Sequence, residues 1–340
     1  MIDTRTGEII WQWNDLHFAD QGFEIGKHYL INKNLVFQER NQFYKIDLSS
    51  GGTLLKEIKE YYSEGIHGIG EKYFNSGEYI LNDQGHNVGY VFEGSVNVNV
   101  EKRLIGPAYS LEYVDGNNTT GALGASIPFI DQVSGDTLLI YDFADALPDW
   151  HSNVFVGLYN YTKKTHVYDK MPLRLNTDAY SSGPAVVYNN KAYFSPSKSI
   201  VCVDVFTGEK LWIKSFSEGF VFSRYIIADN MLIANCEDTY LYALDPDTGK
   251  ELWKEKSSGT SSRMSYLNGV VYFTGGGDGL LHAVDVATGK HLWKLRSPDL
   301  DQNSGAWFKR RVSVIPGENG KRGKVITSSY LSAFCYEAAR

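Results

Sequence analysis

Four arginines carry the sharpest chemical signal in the sequence. Arg224 (F-S-R-Y-I), Arg263 (S-S-R-M-S-Y) and the adjacent Arg310 and Arg311 (F-K-R-R-V-S-V) each stand near the start of an alternating apolar run. Such runs read as β-strands. Guanidinium groups brought together bind carboxylate or phosphate through paired N–H donors, and here they would form a basic patch on a chain of formal net charge −7. Phe222, Trp307 and Phe308 lie beside them in sequence and are placed to supply an apolar wall, the usual make-up of a ligand cleft. The plainer alternative is that the arginines pair with inward carboxylates such as Glu218 or brace the fold. The choice depends on whether the strands bring them together.

Other chemistry finds less support. The histidines (His17, His28, His67, His86, His151, His166, His282 and His291) show neither H-x-x-x-H nor H-E-x-x-H spacing, the helical spacings that serve zinc. His67 and His86 are placed to approach each other within one blade, but two scattered histidines read more simply as surface or satisfied core residues. Asp142, Asp145 and Asp149, ahead of Trp150 and His151, do not match the ligand spacing of an EF-hand loop and read as a solvated loop. Gly275-Gly276-Gly277-Asp278-Gly279 is followed by no Lys-Ser/Thr and precedes a strand, so it reads as a hairpin turn and not a phosphate loop. Cys202, Cys236 and Cys335 are odd in number, with no adjacent pair and no C-x-x-C, and read as three buried thiols. No metal site follows from these residues.

The elements that must position the arginines announce themselves by repetition. Leu241–Trp253 reads L-Y-A-L-D-P-D-T-G-K-E-L-W, Ile200–Trp212 reads I-V-C-V-D-V-F-T-G-E-K-L-W, and Leu281–Trp293 reads L-H-A-V-D-V-A-T-G-K-H-L-W. Asp3–Trp11 supplies the second half alone, D-T-R-T-G-E-I-I-W. Two alternating runs joined by a Gly-containing turn form a hairpin. The aspartates (Asp3, Asp204, Asp245, Asp285) are expected to accept backbone N–H bonds in the turn, and the glycines (Gly7, Gly208, Gly249, Gly289) to supply a positive φ. The tryptophans (Trp11, Trp212, Trp253, Trp293) recur once per unit at one position, which marks them as packing between units and not as a stacking platform for a cofactor.

Fainter copies fill the rest. Phe43–Asp47 leads to Ser50-Gly51 with Leu55 in place of Trp, Val88–Val100 is an alternating hairpin without the motif residues, and Asn153–Tyr168 carries Asn160 for Asp and Tyr168 for Trp. Tyr330–Cys335 matches the first strand of the repeat, with Cys335 in place of Asp. Asp3, Asp47, about Glu93, Asn160, Asp204, Asp245, Asp285 and Cys335 then lie 40–50 residues apart, save for 67 between Glu93 and Asn160. Units of roughly that length are four-stranded propeller blades. The expected fold is all-β: one seven-bladed propeller spanning 1–340. Its blades fall near 14–60, 61–106, 107–173, 174–216, 217–257, 258–298 and 299–340, the last completed by 1–13. Sharing one blade between the chain ends removes the edges an open array would leave. Tyr109–Gly124 is read as an inserted loop, and an eighth blade hidden there is the alternative.

In a propeller the first strand of each blade lines the central channel, so Arg224, Arg263 and Arg310/Arg311 are expected to converge at its mouth, with Trp307 nearby. The acidic balance argues against nucleic acid as the main partner. No apolar run approaches membrane-spanning length, and Met1–Arg5 shows no apolar leader core, so the chain is read as cytosolic or as one whose leader has been removed.

The sequence A-L-D-x-x-T-G-K-x-L-W resembles the PQQ-type β-propeller repeat, shared by quinoprotein alcohol dehydrogenases and non-enzymatic BamB-like propellers. The match is specific over residues 200–293 and at both termini, and rests on strand periodicity alone over 14–173. The enzymatic branch implies PQQ and Ca²⁺ at the axis, eight blades, an adjacent Cys pair against the quinone and an Asp base. This chain reads as seven blades and has no such pair, and no Asp or Glu can be assigned to a metal, so neither PQQ nor Ca²⁺ is expected. The resemblance points instead to a non-catalytic scaffold or binding protein, monomeric and placed in the cell envelope. Its ligand is a protein, a peptide or a small anion, bound at a disc face or the channel mouth. Tyr109–Gly124 and Tyr141–Trp150 are the expected partner surfaces. The alternatives are a PQQ- or Ca²⁺-dependent oxidoreductase and a hydrolase or lyase with an unrecognised site in the funnel.

Overall fold

The computed structural model describes the chain apart from residues 16–27, 83–86, 91–121, 148–150, 178–184, 217–224 and 309–311 and positions 2, 4, 5, 7, 32, 64, 65, 70–72, 77, 78, 161, 260, 261 and 330. Among the described residues the strands form seven antiparallel sheets of three or four strands. They are accompanied by one 3₁₀ turn, Pro298–Asp301. The chain divides into two compact units, one of residues 1–139 with 159–166 and the other of 140–158 with 167–340.

The first unit contains the sheet β1 (His28–Ile31), β2 (Asn34–Asp47) and β3 (Thr53–Ser63), and the short-stranded sheet β4 (Ile66–Ile69), β5 (Tyr73–Ser76), β6 (Tyr79–Asn82) and β7 (Asn87–Tyr90). Val36, Phe37, Phe43, Tyr44 and Ile46 form its described core, with Trp11 and Trp13 packed against them.

β8 (Ala122–Ile130), β9 (Thr137–Ala146), β10 (Ser152–Asn160) and β11 (Thr165–Thr177) make the next sheet. Two expectations fail here. Ala122-Leu123-Gly124 belongs to strand β8 and not to a loop, while the remainder of the expected insertion lies outside the described residues. Tyr141–Ala146 is the end of strand β9 and forms the first arm of the expected hairpin with β10. Asp142 is 1% exposed, so the expectation of a solvated loop fails for that residue, while Asp149 lies outside the described residues. β9 is buried on both faces from Leu138 to Ala144, so no alternation marks it, and Asp142 interrupts the apolar run that would.

The second unit continues with β12 (Val186–Tyr188) to β15 (Lys210–Ser215), β16 (Ile226–Ala228) to β19 (Glu251–Lys256), β20 (Ser265–Leu267) to β23 (His291–Leu295), and a three-stranded sheet of β24 (Ser313–Ile315), β25 (Lys324–Ser328) and β26 (Ala333–Glu337). Strands one and two of the four-stranded members meet at Asn189-Asn190, Asp229-Asn230 and Asn268-Gly269, all with positive φ. That conformation is the two-residue turn whose twist suits a hairpin, and Asn, Asp and Gly adopt it at least cost. The second and third strands are buried on both faces: β21 (Val270–Thr274) and β22 (Leu281–Asp285) are buried throughout, whereas β23 alternates. Sheets therefore pack face to face. Ile233, Leu241 and Ala243 of one meet Val271, Phe273 and Val284 of the next. Each third strand slips register one residue before its aspartate, at Cys202/Val203, Ala243/Leu244 and Ala283/Val284, a bulge that turns the chain into the loop.

Register also corrects the last repeat mark. Lys191 pairs with Asp204 and Val270 with Asp285, and in the final sheet Lys324 pairs with Glu337. Glu337 therefore takes the aspartate's place, two residues beyond Cys335, which lies mid-strand. Cys335 is exposed while Cys202 and Cys236 are buried, all three as free thiols, so the reading of three buried thiols holds for two.

Candidate functional site

The repeat residues build joints. Asp245 Oδ1 accepts from the backbone N–H of Asp247 and Thr248 at 2.9 and 2.8 Å and from Thr248 Oγ1 at 2.9 Å. Asp204 makes the same three bonds, Asp285 accepts from the N–H and hydroxyl of Thr288, and Thr6 N–H donates to Asp3 at 3.2 Å. These donors favour the ionised carboxylate. The Thr248 hydroxyl holds Asp245 below its usual range, and the hydroxyl and backbone N–H donors of Ser49 and Ser50 take Asp47 down to about 2.

The indole of one sheet closes on the turn of the next. Trp212 Nε1 donates to Pro246 O at 3.0 Å, Trp253 Nε1 to Val286 O at 2.8 Å, and in the first unit Trp11 Nε1 to Leu48 O at 2.9 Å. Each acceptor is the residue after the turn aspartate. The ring lies so close to the turn glycine that a Cβ at Gly249 would fall 2.5 Å from Trp212, one at Gly289 2.6 Å from Trp253, and one at Gly51 2.6 Å from Trp11. Tyr168 repeats the joint: its hydroxyl donates to Val205 O at 2.8 Å and its ring lies on Gly208. Trp293 packs against Tyr272, with ring centroids 5.7 Å apart. Gly7 lies outside the described residues. These contacts join turn to strand and sheet to sheet.

A further turn of this kind escaped the sequence reading. In I-D-Q-V-S-G-D, Asp131 accepts from Val133 and Ser134 N–H, and Gly135 N–H bonds Asp131 O. Its Ser three and Gly four residues on match the repeat offsets, but no Trp follows at eight.

Of the expected ligand-binding residues, Arg263 is exposed two residues before β20. Trp307 is 37% exposed, donates Nε1 to Ser304 O and lies against Gly279, while Phe308 is buried at 2%. Arg224, Arg310, Arg311, Glu218 and Phe222 lie outside the described residues, as do Glu93 and His86. In the first unit a cavity of about 400 Å³ is lined by Met1, Ile9, Trp11, Gln12, Trp13 and Asn14. Both indole nitrogens there are engaged, Trp11 with Leu48 O and Trp13 with Thr53 Oγ1 at 2.8 Å.

Sequence spacing also missed a polar array. Asp278 Oδ1, His282 Nε2, His282 Nδ1, His291 Nε2, His291 Nδ1 and Glu255 Oε1 run in one chain, with contacts of 3.1, 2.9 and 3.1 Å. Burial holds both imidazoles below their usual range, against the upward pull of Asp278 on His282 and, for His291, of Glu255 and Asp278. Among the described residues no three His, Cys, Asp or Glu side chains gather so as to hold a metal ion, and no helix is long and apolar enough to cross a membrane.

Comparison with known proteins places the fold. The crystal structure of BamB from Moraxella catarrhalis is similar with a TM-score of 0.57 at 12% identity, over 97% of this chain and 88% of that one. A europium-containing methanol dehydrogenase gives 0.56 at 12% identity over 96% and 78%, and Sqt1 from Saccharomyces cerevisiae gives 0.55 at 8% over 92% and 96%. At these identities the likeness is one of fold. No curated protein matches the chain in sequence. The family profile PQQ_2, described as outer membrane protein assembly factor BamB, matches residues 150–340. That span covers more than half of the sequence, including all three complete copies of the repeat: the chain belongs to this BamB family of PQQ-like β-propellers.

Proposed function

We propose that the protein is a non-catalytic binding or scaffold module of the cell envelope: a seven-bladed propeller that takes a protein, peptide or small anion at a disc face or channel mouth. The observation that carries this reading is the use of the recurrent residues. Asp, Gly and Trp are consumed in the joints, so what distinguishes the chain lies off the motif, at positions such as Arg263. The family's description as an outer membrane assembly factor supports a protein partner and an envelope location.

A quinone contact of the adjacent-cysteine kind does not fit this donor set. Cys202 is on β14 (Ser199–Asp204), Cys236 follows β17 (Met231–Asn235), and Cys335 is on β26. We assign no step to PQQ or Ca²⁺.

The test is titration of wild type and an Arg224→Ala/Arg263→Ala/Arg311→Ala variant with an acidic peptide and with inorganic phosphate, by calorimetry. Binding by wild type that the triple variant loses supports the arginine-lined mouth, and equal binding by both ends it. Dye-linked alcohol oxidation on addition of PQQ and Ca²⁺ would overturn the non-catalytic reading.

A further inference from the structure

The array Asp278–His282–His291–Glu255 occupies repeat positions that the preceding sheet fills differently. Tyr242 stands where His282 does, and its hydroxyl bonds Asp238 at 2.5 Å. Glu251 stands where His291 does, and it pairs across to Lys214 of the preceding sheet at 3.3 Å. A link from the third strand to the preceding turn, and a side-chain contact between outer strands, are thus shared by these two sheets. The His282–His291 contact is particular to the β20–β23 sheet, where it fuses these two links into one chain.

The chain of contacts is short of a proton. Each of its three contacts needs one hydrogen, and two neutral imidazoles bring only two N–H groups between them. The ends are carboxylates, which accept and do not donate when ionised. The arrangement that serves both anions has His282 Nε2–H donating to Asp278 and His291 Nδ1–H donating to Glu255. The lone pairs of His282 Nδ1 and His291 Nε2 then face each other across 2.9 Å, the length of a hydrogen bond with no hydrogen in it. His282 is fully buried and His291 14% exposed, so water has little room to intervene. Phe273 stacks on His282 with centroids 4.7 Å apart, and Ser258 Oγ holds the other oxygen of Asp278 at 2.6 Å. The His282 ring and its carboxylate partner are therefore held in place.

We propose that this nitrogen–nitrogen gap is a proton-binding site, at which His282 and His291 together take up a single proton from solvent. Uptake closes the gap as an N–H···N bond and leaves one positive charge on the pair. The His291–Glu255 contact, which joins the β16–β19 and β20–β23 sheets, becomes an ion pair. The charged groups facing the pair are Asp278 from the turn before β22, Glu255 from β19 and Lys294 from β23. The two carboxylates favour the proton, while Lys294 and burial oppose it. Once one ring is charged the other is disfavoured, so the two titrate as a unit. Burial is the largest influence on each ring, which sets uptake on the acid side of the ordinary imidazole value near 6.5. The sign for stability follows. The unfolded chain binds these protons first as the pH falls, so the neutral pair contributes in full above about 6.5. That contribution is lost as the pH falls through the folded value.

The experiment is a ¹⁵N-edited imidazole NMR titration of the full chain from pH 8 to 4.5. The expected result is one shared midpoint below 6.5 for both rings, with both proton-free nitrogens, His282 Nδ1 and His291 Nε2, moving together. Independent midpoints, or no movement of either ring over that range, overturn the proposal. Urea midpoints at pH 7.5 and 5 for wild type and a His282→Tyr/His291→Gln variant give a second readout. The wild type should lose more stability on acidification than the variant, and equal losses overturn the proposal as well.

Discussion

Trp253 and Gly289 should not contribute independently to stability. Trp253 is half-buried, donates Nε1 to Val286 O at 2.8 Å, and lies where a Cβ on Gly289 would come within 2.6 Å of its ring. Trp253→Ala removes the indole and leaves the carbonyl without that donor. Half-burial puts the cost at the low end of the aromatic-to-Ala range, about 3 kcal/mol, of which the hydrogen bond accounts for about 1 kcal/mol. Gly289→Ala meets two separate penalties. At φ +74° the left-handed backbone costs an L residue about 1–2 kcal/mol, and the methyl group overpacks the joint at a further cost of about 1–3 kcal/mol.

In the Trp253→Ala background the overpacking disappears and only the backbone term remains. The double variant should therefore be more stable than the summed single effects imply, by about 1–3 kcal/mol. Urea unfolding followed by far-UV circular dichroism measures all four corners of the cycle, provided the slope m stays common to them. Additivity within about 0.5 kcal/mol would mean that ring and glycine do not meet, and the account of the joint would be wrong.

Tyr168→Phe leaves Val205 O without its donor while keeping the ring on Gly208, so a loss of about 1 kcal/mol is expected, read from the same unfolding curve. The depressed carboxyls of Asp245 and Asp47 contribute stability that is present above the ordinary value of 3.8 and lost as the pH falls through their folded values. Asp245→Asn should consequently flatten part of the decline in urea midpoint between pH 5 and 2.5, and an unchanged profile would count against the turn assignment. Burial pushes the Cys202 and Cys236 thiols up to about 12, whereas Cys335 is exposed. A colorimetric thiol reagent at pH 7.5 should react with one thiol per folded chain and three in urea, because the thiolate is the reactive form.

What could be read from the sequence was what the joints repeat. Asp, Thr, Gly and Trp at fixed offsets are visible because each joint imposes the same geometry, and even Tyr168 could be recognised in the tryptophan's place. Where a strand buried on both faces carries an acidic residue the pattern misled: Asp142 made part of a buried strand look like a solvated loop, though Tyr141 and Phe143 on either side are buried too. The Cys335 alignment failed for a different reason. Sequence offsets count residues, whereas the Lys324–Glu337 pairing counts rungs of a ladder.

The histidine array was hidden by the kind of search applied to it. Motif spacings such as H-x-x-x-H test whether two side chains share a helix face, and His282 and His291 sit on neighbouring antiparallel strands with their acidic partners on a turn and on another sheet. Aligning the copies would have exposed them, since L-H-A-V-D against L-Y-A-L-D and G-K-H-L-W against G-K-E-L-W each replace a residue that does not titrate near neutrality with one that does. In a repeat protein the structural positions are those where the copies agree. The positions where a single copy departs, and where the substitution changes charge or proton affinity inside a conserved contact, are therefore where a property peculiar to this chain should be sought.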